Sequence, residues 1–196
     1  GLFNTHQLEF HKLKVGGRLC AEESAGLGAL VQRCVSLKDL VINASSVDET
    51  LAEGLSNAFH LQCVLFENTK INRYEFLVDR LVRNGNCIVM QLLSPQSQLK
   101  ELRLECLRLG DEHLLQIIEM LPTTQVHVLS LHDNLIVHPG MLAFACQLPN
   151  IKYLKKVILS RNPWEDDHHY YYHPTATYQG CITALLGGMV GNYSIE

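Results

Sequence analysis

Six times along the chain, an apolar residue is followed by two variable positions, a second apolar residue, one variable position and a third apolar residue. The triplets are Phe10-Leu13-Val15, Leu37-Leu40-Ile42, Leu61-Val64-Phe66, Leu99-Leu102-Leu104, Val126-Leu129-Leu131 and Leu154-Val157-Leu159. Their starts are separated by 27, 24, 38, 27 and 28 residues. The last positions of each triplet alternate between apolar and variable, which is the period of a strand. Recurrence at this interval marks a solenoid, in which one unit cannot bury its own apolar face and stacks on its neighbours.

After each of the first five triplets the apolar spacing shifts to three and four. The stripes are Leu27-Leu30-Val31-Cys34, Leu51-Leu55-Ala58-Phe59, Tyr74-Leu77-Val78-Leu81, Leu114-Ile117-Ile118-Leu121 and Leu142-Ala145-Cys146-Leu148. They predict one-sided helices packed on the strand layer. Asp48 and Asp111 suit helix N-caps, Pro139 suits a first helical position, and Pro122 and Pro149 suit helix ends. The 38-residue step holds an extra piece near 86–98, ending at Pro95 and Gln98. Its residues fit a helix extension, a lone strand or an insertion.

The unit Leu99-Lys-Glu-Leu102-Arg-Leu104-Glu-Cys-Leu107-Arg-Leu109, with Gly110-Asp111-Glu112 after it, resembles a leucine-rich repeat, L-x-x-L-x-L-x-x-N-x-L. The unit length and helical return are similar to the ribonuclease-inhibitor-like subclass, which includes Ran GTPase-activating proteins and NLR receptors. The consensus asparagine is present as Asn134 and Asn162, and is replaced by Arg18, Ser45, Thr69 and Leu107 in the first four units. The resemblance implies an α/β right-handed superhelix of about six irregular repeats with a curved parallel sheet, over residues 1–164. It also implies that Asn134 and Asn162 bond backbone groups between coils, a role that Leu107 cannot fill. The stretch 165–196 leaves the pattern and reads as a capping tail, with Trp164 and Cys181–Leu186 covering the last coil.

Composition narrows the function more than it identifies it. The chain has 196 residues, 16 Lys and Arg, 20 Asp and Glu, and a net charge of -4. That balance argues against nucleic acid as the main partner, and no apolar run reaches the length of a membrane span. The chain opens on Gly1, so it reads as a fragment or processed form. The expected compartment is intracellular, cytoplasmic first, with a mitochondrial location left open. Seven cysteines include no C-x-x-C pair, which points to reduced thiols. Cys34 and Cys146 lie on helix stripes, and Cys20 takes an apolar slot.

Chemistry-bearing motifs are sparse. Asp166-Asp167-His168-His169-Tyr170-Tyr171-Tyr172-His173 brings metal-ligating types together, but His168, His169 and His173 fit no standard site spacing, and the segment reads as a solvated loop. No phosphate-binding loop, G-x-S-x-G or H-E-x-x-H occurs. No cofactor, metal or small-molecule substrate is implied, and the chain reads as non-catalytic.

The positions flanking the consensus residues carry the most functional information. They face away from the core because strand side chains alternate. Five of them are apolar, namely Val41, Cys63, Leu65, Val128 and Ile158, and Arg103 lies near their middle. Aliphatic residues around an arginine suit a protein-binding patch. The expected function is a scaffold or accessory subunit of a larger assembly, bound through the concave strand face. Alternatives implied by the resemblance are the substrate-recognition part of a ubiquitin-ligase adaptor, or a GTPase-regulating repeat protein. A hydrolytic enzyme ranks last.

Overall fold

A computed structural model describes residues 10–17, 19–43, 49–67, 88–163 and 187. The six triplets form six strands: β1 Lys12–Val15, β2 Asp39–Asn43, β3 Cys63–Glu67, β4 Glu101–Glu105, β5 Val128–Ser130 and β6 Lys156–Ile158. They make one parallel sheet in chain order. The central consensus residues align across it as Leu13, Leu40, Val64, Leu102, Leu129 and Val157.

A second ladder fixes this register just before the strands begin. The carbonyl of His11 accepts from the N–H groups of Lys38 and Asp39, both at 2.9 Å. The pattern repeats, with Lys38 O taking Gln62 and Cys63, Gln62 O taking Lys100 and Glu101, Lys100 O taking His127 and Val128, and His127 O taking Lys155 and Lys156. One residue per unit thus holds two donors of the next, so slippage would forfeit both bonds in every interval.

Five helices are described: α1 Ala21–Arg33, α2 Glu49–Ser56, α3 Ile88–Leu92, α4 Asp111–Met120 and α5 His138–Gln147. Short 3-10 turns at Leu121–Thr123 and Leu148–Asn150 carry Pro122 and Pro149. The core lies between the helices and the inner face of the sheet. Triplet residues of the four middle units are essentially fully buried, while Phe10, Leu13, Val157 and Leu159 in the end units are only partly so. An end unit has a neighbour on one side alone. Within 86–98, residues 88–92 are helical, and Ile88, Val89, Leu92 and Leu93 join the core.

Helix faces follow the stripes in α2 and α4, where Leu51, Leu55, Leu114, Ile117 and Ile118 are buried. Two helices are rotated from expectation. In α1 the buried residues are Ser24, Gly28 and Val31, while Leu30 is exposed and Leu27 and Cys34 are half-buried. The cause is Gly28, whose backbone meets that of Gly54 on α2 so closely that a methyl group on either would strike the other helix. In α5 the buried residues are Gly140, Met141, Phe144 and Ala145, and Cys146 is exposed. Cys20 is also exposed, at the N-cap of α1. The described thiols form no disulfide, and none is fully buried. The stripe at Tyr74–Leu81, the cap at Asp48 and the tail from Trp164 lie outside the described residues.

The two asparagines bind the coils together. Asn134 Oδ1 accepts from Leu107 N at 3.1 Å and Leu109 N at 3.0 Å, while Nδ2 donates to Leu104 O at 2.8 Å and His132 O at 3.2 Å. Asn162 Oδ1 accepts from Ile136 N at 3.1 Å, and its Nδ2 donates to Leu131 O and Leu159 O, both at 2.8 Å. Just before the consensus slot, Cys106, Asp133 and Arg161 have φ of 57°, 54° and 60°. Their left-handed turn aims the next side chain inward. Leu107 is buried in the same slot without an amide. Asp111 is the first residue of α4, preceded by Gly110, so it does not cap the helix it opens. No described helix is long and apolar enough to cross a membrane.

Candidate interaction surface

The sheet face turned away from the helices presents its side chains in rows, because residues two apart on a strand share a side. One row runs Lys12, Asp39, Cys63, Glu101, Val128, Lys156. The next runs Lys14, Val41, Leu65, Arg103, Ser130, Ile158. A third contains Asn43, Glu67 and Glu105.

The sequence-derived residues all lie on these rows, but they do not form one continuous patch. Cys63 and Leu65 share β3, and Leu65 pairs with Arg103 on β4. Val128 and Ile158 sit on β5 and β6, beyond Ser130. Cys63, Leu65, Val128 and Ile158 are half-buried. Val41 departs from expectation: it is buried, with 9% of its surface accessible. Lys14 Nζ and Glu67 Oε1 join at 3.0 Å from strands on either side of β2, so their side chains cross the strand that carries Val41. The accessible face is therefore an apolar spot on β3, another on β5 and β6, and Arg103 between them.

Arg103 is already engaged. Its Nε donates to Glu101 Oε1, and its Nη1 lies 3.8 Å from Glu105 Oε1. Burial works against the guanidinium charge, but the bond to Glu101 and the charges of Glu101 and Glu105 outweigh it and raise its pKa. Ser130 is fully buried, and its Oγ donates to Glu105 Oε1 at 2.7 Å. His132 Nδ1 and Ser160 Oγ share a hydrogen bond of 2.8 Å. The charged group on β4 is thus Glu101-Arg103-Glu105, not a lone arginine. The two glutamates were legible from the alternation Glu101-Leu102-Arg103-Leu104-Glu105, which puts three charges on one side of a strand.

Burial, reinforced by Glu101 and Asp39, pushes the Cys63 thiol up to about 11. It is protonated at neutral pH, in the opposite of the electropositive setting that activates a cysteine. Among the described residues no cluster of His, Cys, Asp or Glu is placed to hold a metal ion; His168, His169 and His173 lie outside them. No family model matches the chain, and no curated protein matches it.

Proposed function

We propose that this chain is a non-catalytic protein-interaction module, a leucine-rich-repeat-like solenoid that binds its partner through the concave strand face. The supporting observation is the register that sets Leu65, Arg103 and Ile158 in one row and Cys63 and Val128 in the row beside it. Half-buried aliphatic groups around a charge that is held in place, yet partly open to solvent, supply both desolvated area and directional contacts. An incoming carboxylate competes with Glu101 and Glu105 for Arg103, whereas an incoming Lys or Arg finds both glutamates oriented. The bonds of Asn134 and Asn162 to the preceding units, and the left-handed residues Cys106, Asp133 and Arg161 before the last three slots, support the repeat reading.

The test uses the chain as bait, with Leu65→Glu and Arg103→Glu variants compared against wild type by quantitative mass spectrometry. A stoichiometric protein that is captured by wild type and lost from both variants, at unchanged melting temperature, supports this face. Capture at the wild-type level by both variants removes it.

A further inference from the structure

The ladder of carbonyls that precedes the strands also aligns side chains. His11, Lys38, Gln62, Lys100, His127 and Lys155 are consecutive rungs, each bonded through its backbone to the next. They lie at the N-terminal rim of the sheet, beside the residues that lead into each strand. Those approaches are Val35-Ser36-Leu37-Lys38, Phe59-His60-Leu61-Gln62, Ser97-Gln98-Leu99-Lys100, Thr124-Gln125-Val126-His127 and Lys152-Tyr153-Leu154-Lys155. None of these five, which lead into β2 to β6, contains an aspartate or glutamate, whereas Leu8-Glu9-Phe10-His11 before β1 contains one; acids outnumber bases in the chain, 20 to 16. The first carboxylates, Asp39 and Glu101, come one residue later, on the outward strand face.

Among the described residues the rim lysines Lys38, Lys100, Lys152 and Lys155 take part in no ion pair, whereas Lys14 joins Glu67 and Arg103 joins Glu101 and Glu105. Lys38 Nζ donates to the carbonyl of His60 at 3.4 Å, and Lys100 Nζ to Gln125 Oε1, so both are steadied by neutral groups. Burial first, and then the charges of Lys100 and Lys155, hold the His127 imidazole below its ordinary pKa, so both lysines act on the same spot. The rim also has two of the most exposed large apolar side chains, Val35 at 60% and Tyr153 at 50%. Tyr153 stands with its ring centroid 6.5 Å from that of His127.

We infer that this rim is a second docking surface, for an acidic segment of a partner protein that carries apolar residues among its carboxylates. Charge complementarity selects the acid, and Tyr153 and Val35 select the apolar companions. Lys38, Lys100 and Lys155 precede alternate strands, so they recur about every 9.6 Å, close to one turn of a polyproline II chain, three residues at about 3.1 Å each, which returns every third side chain to the same side. A peptide with acids at that interval meets one lysine per repeat. Duplex nucleic acid fits less well, because the chain is acidic as a whole and repels a polyanion of that charge density at long range.

This surface is separate from the strand face proposed above, and its test separates them. A short fluorescein-labelled peptide of repeated Glu-Glu-Leu is titrated by anisotropy at low salt and again at about 0.15 M salt. Wild type binds it, and Lys100→Gln/Lys155→Gln weakens binding about tenfold, equivalent to about 1.4 kcal/mol. The charge-matched Arg108→Gln/Arg161→Gln variant, on the loops after β4 and β6, changes binding less than about twofold, as does Leu65→Glu. Absence of binding at low salt, or equal losses in both double variants, overturns the proposal. So does tighter binding of duplex DNA or phosphatidylserine vesicles through the same two lysines.

Discussion

Asp111 and Gly140 are bonded across two units: the carboxylate on the first turn of α4 caps the helix that follows it, not its own. Asp111 Oδ2 accepts from Gly140 N at 2.9 Å, and Oδ1 accepts from Val137 N at 2.9 Å. A methyl group on Gly140 would overlap that carboxylate. Asp111→Ala strands two helix-end donors and is expected to cost about 1–2 kcal/mol. Gly140→Ala is expected to cost at least as much. Because it acts through the carboxylate, its penalty shrinks when Asp111 is already alanine. A double-mutant cycle in urea measures this coupling, and strictly additive losses would show that the two residues act independently.

Leu104 has no accessible surface and sits in the middle of the sheet. Leu104→Ala leaves a cavity that helices on one side and strands on the other cannot both collapse to fill. The expected loss is about 2–5 kcal/mol by chemical denaturation. A loss below about 0.5 kcal/mol would place this side chain on the solvent side of the strand.

Asn134 satisfies four buried or partly buried backbone groups with one amide. Asn134→Ala leaves those groups without their partner, at an expected cost of about 2–4 kcal/mol. Asn134→Leu, which copies the residue found at 107, should be no milder. Leu107 has neighbours suited to it, whereas position 134 faces Leu107 N and Leu109 N. Equal stability of wild type and Asn134→Leu would mean that the amide contributes nothing.

Acidification should loosen the fold before the carboxylates titrate. Burial, then the charge of Lys38, lowers the His60 pKa and outweighs the backbone hydrogen bonds at Val31 and Cys34, which act the other way. His127 is lowered as well, by burial and then by Lys100 and Lys155. In the unfolded chain both take a proton near pH 6.5, while in the fold both resist it. The unfolded state therefore binds more protons below about pH 6.5, and stability falls from there as pH drops toward the folded pKa values. Above that window the two histidines contribute no pH dependence. His60→Gln/His127→Gln should flatten the decline in melting temperature between about pH 6.5 and 5. An unchanged slope in the double variant would assign the decline to other groups.

Thiol labelling offers a check on burial that needs no substitution. Burial is also the first cause that pushes the Cys106 thiol up to about 11, helped by a hydrogen bond to Asp133 and by the charges of Asp133 and Glu105. Cys63 is raised to the same level, whereas Cys20 and Cys146 are exposed. At pH 8 a thiol at about 11 is almost entirely protonated, and the thiolate is the form that reacts. Iodoacetamide with peptide mapping should modify Cys20 and Cys146 well ahead of Cys63 and Cys106. Simultaneous modification would contradict the packing around β3 and β4.

The strands were readable because their constraint is local and strict. Leu40, Val64, Leu102 and Leu129 each need an inward position, and period two leaves one choice of register. Asn134 and Asn162 were readable for a similar reason, since one slot takes one amide. Helix faces were less secure. Leu30 and Cys146 fit an apolar stripe by spacing, but what turns α1 is a contact between Gly28 and Gly54, residues with no hydropathy to reveal it. On the outward face, the charge at Arg103 was visible, while the shielding of Val41 was not, because Lys14 and Glu67 meet over β2 from strands that are 53 positions apart in the chain. The lysine rim was present in the sequence too, but it runs along the approach residues and escapes a reading confined to strand positions.

The meeting of Gly28 with Gly54 has a geometric consequence for whatever the sheet receives. Helices separated by ordinary side chains stand about 8–10 Å apart, while strands stand about 4.8 Å apart, and that difference in spacing gives a strand-and-helix stack its radius of curvature. Backbone touching backbone shortens the outer circumference at α1 and α2 without changing the inner one. On the proposed repeat reading, the arc is expected to open toward β1 and β2 and tighten beyond them, so that a rigid partner would sit closer to the later strands than to the first two.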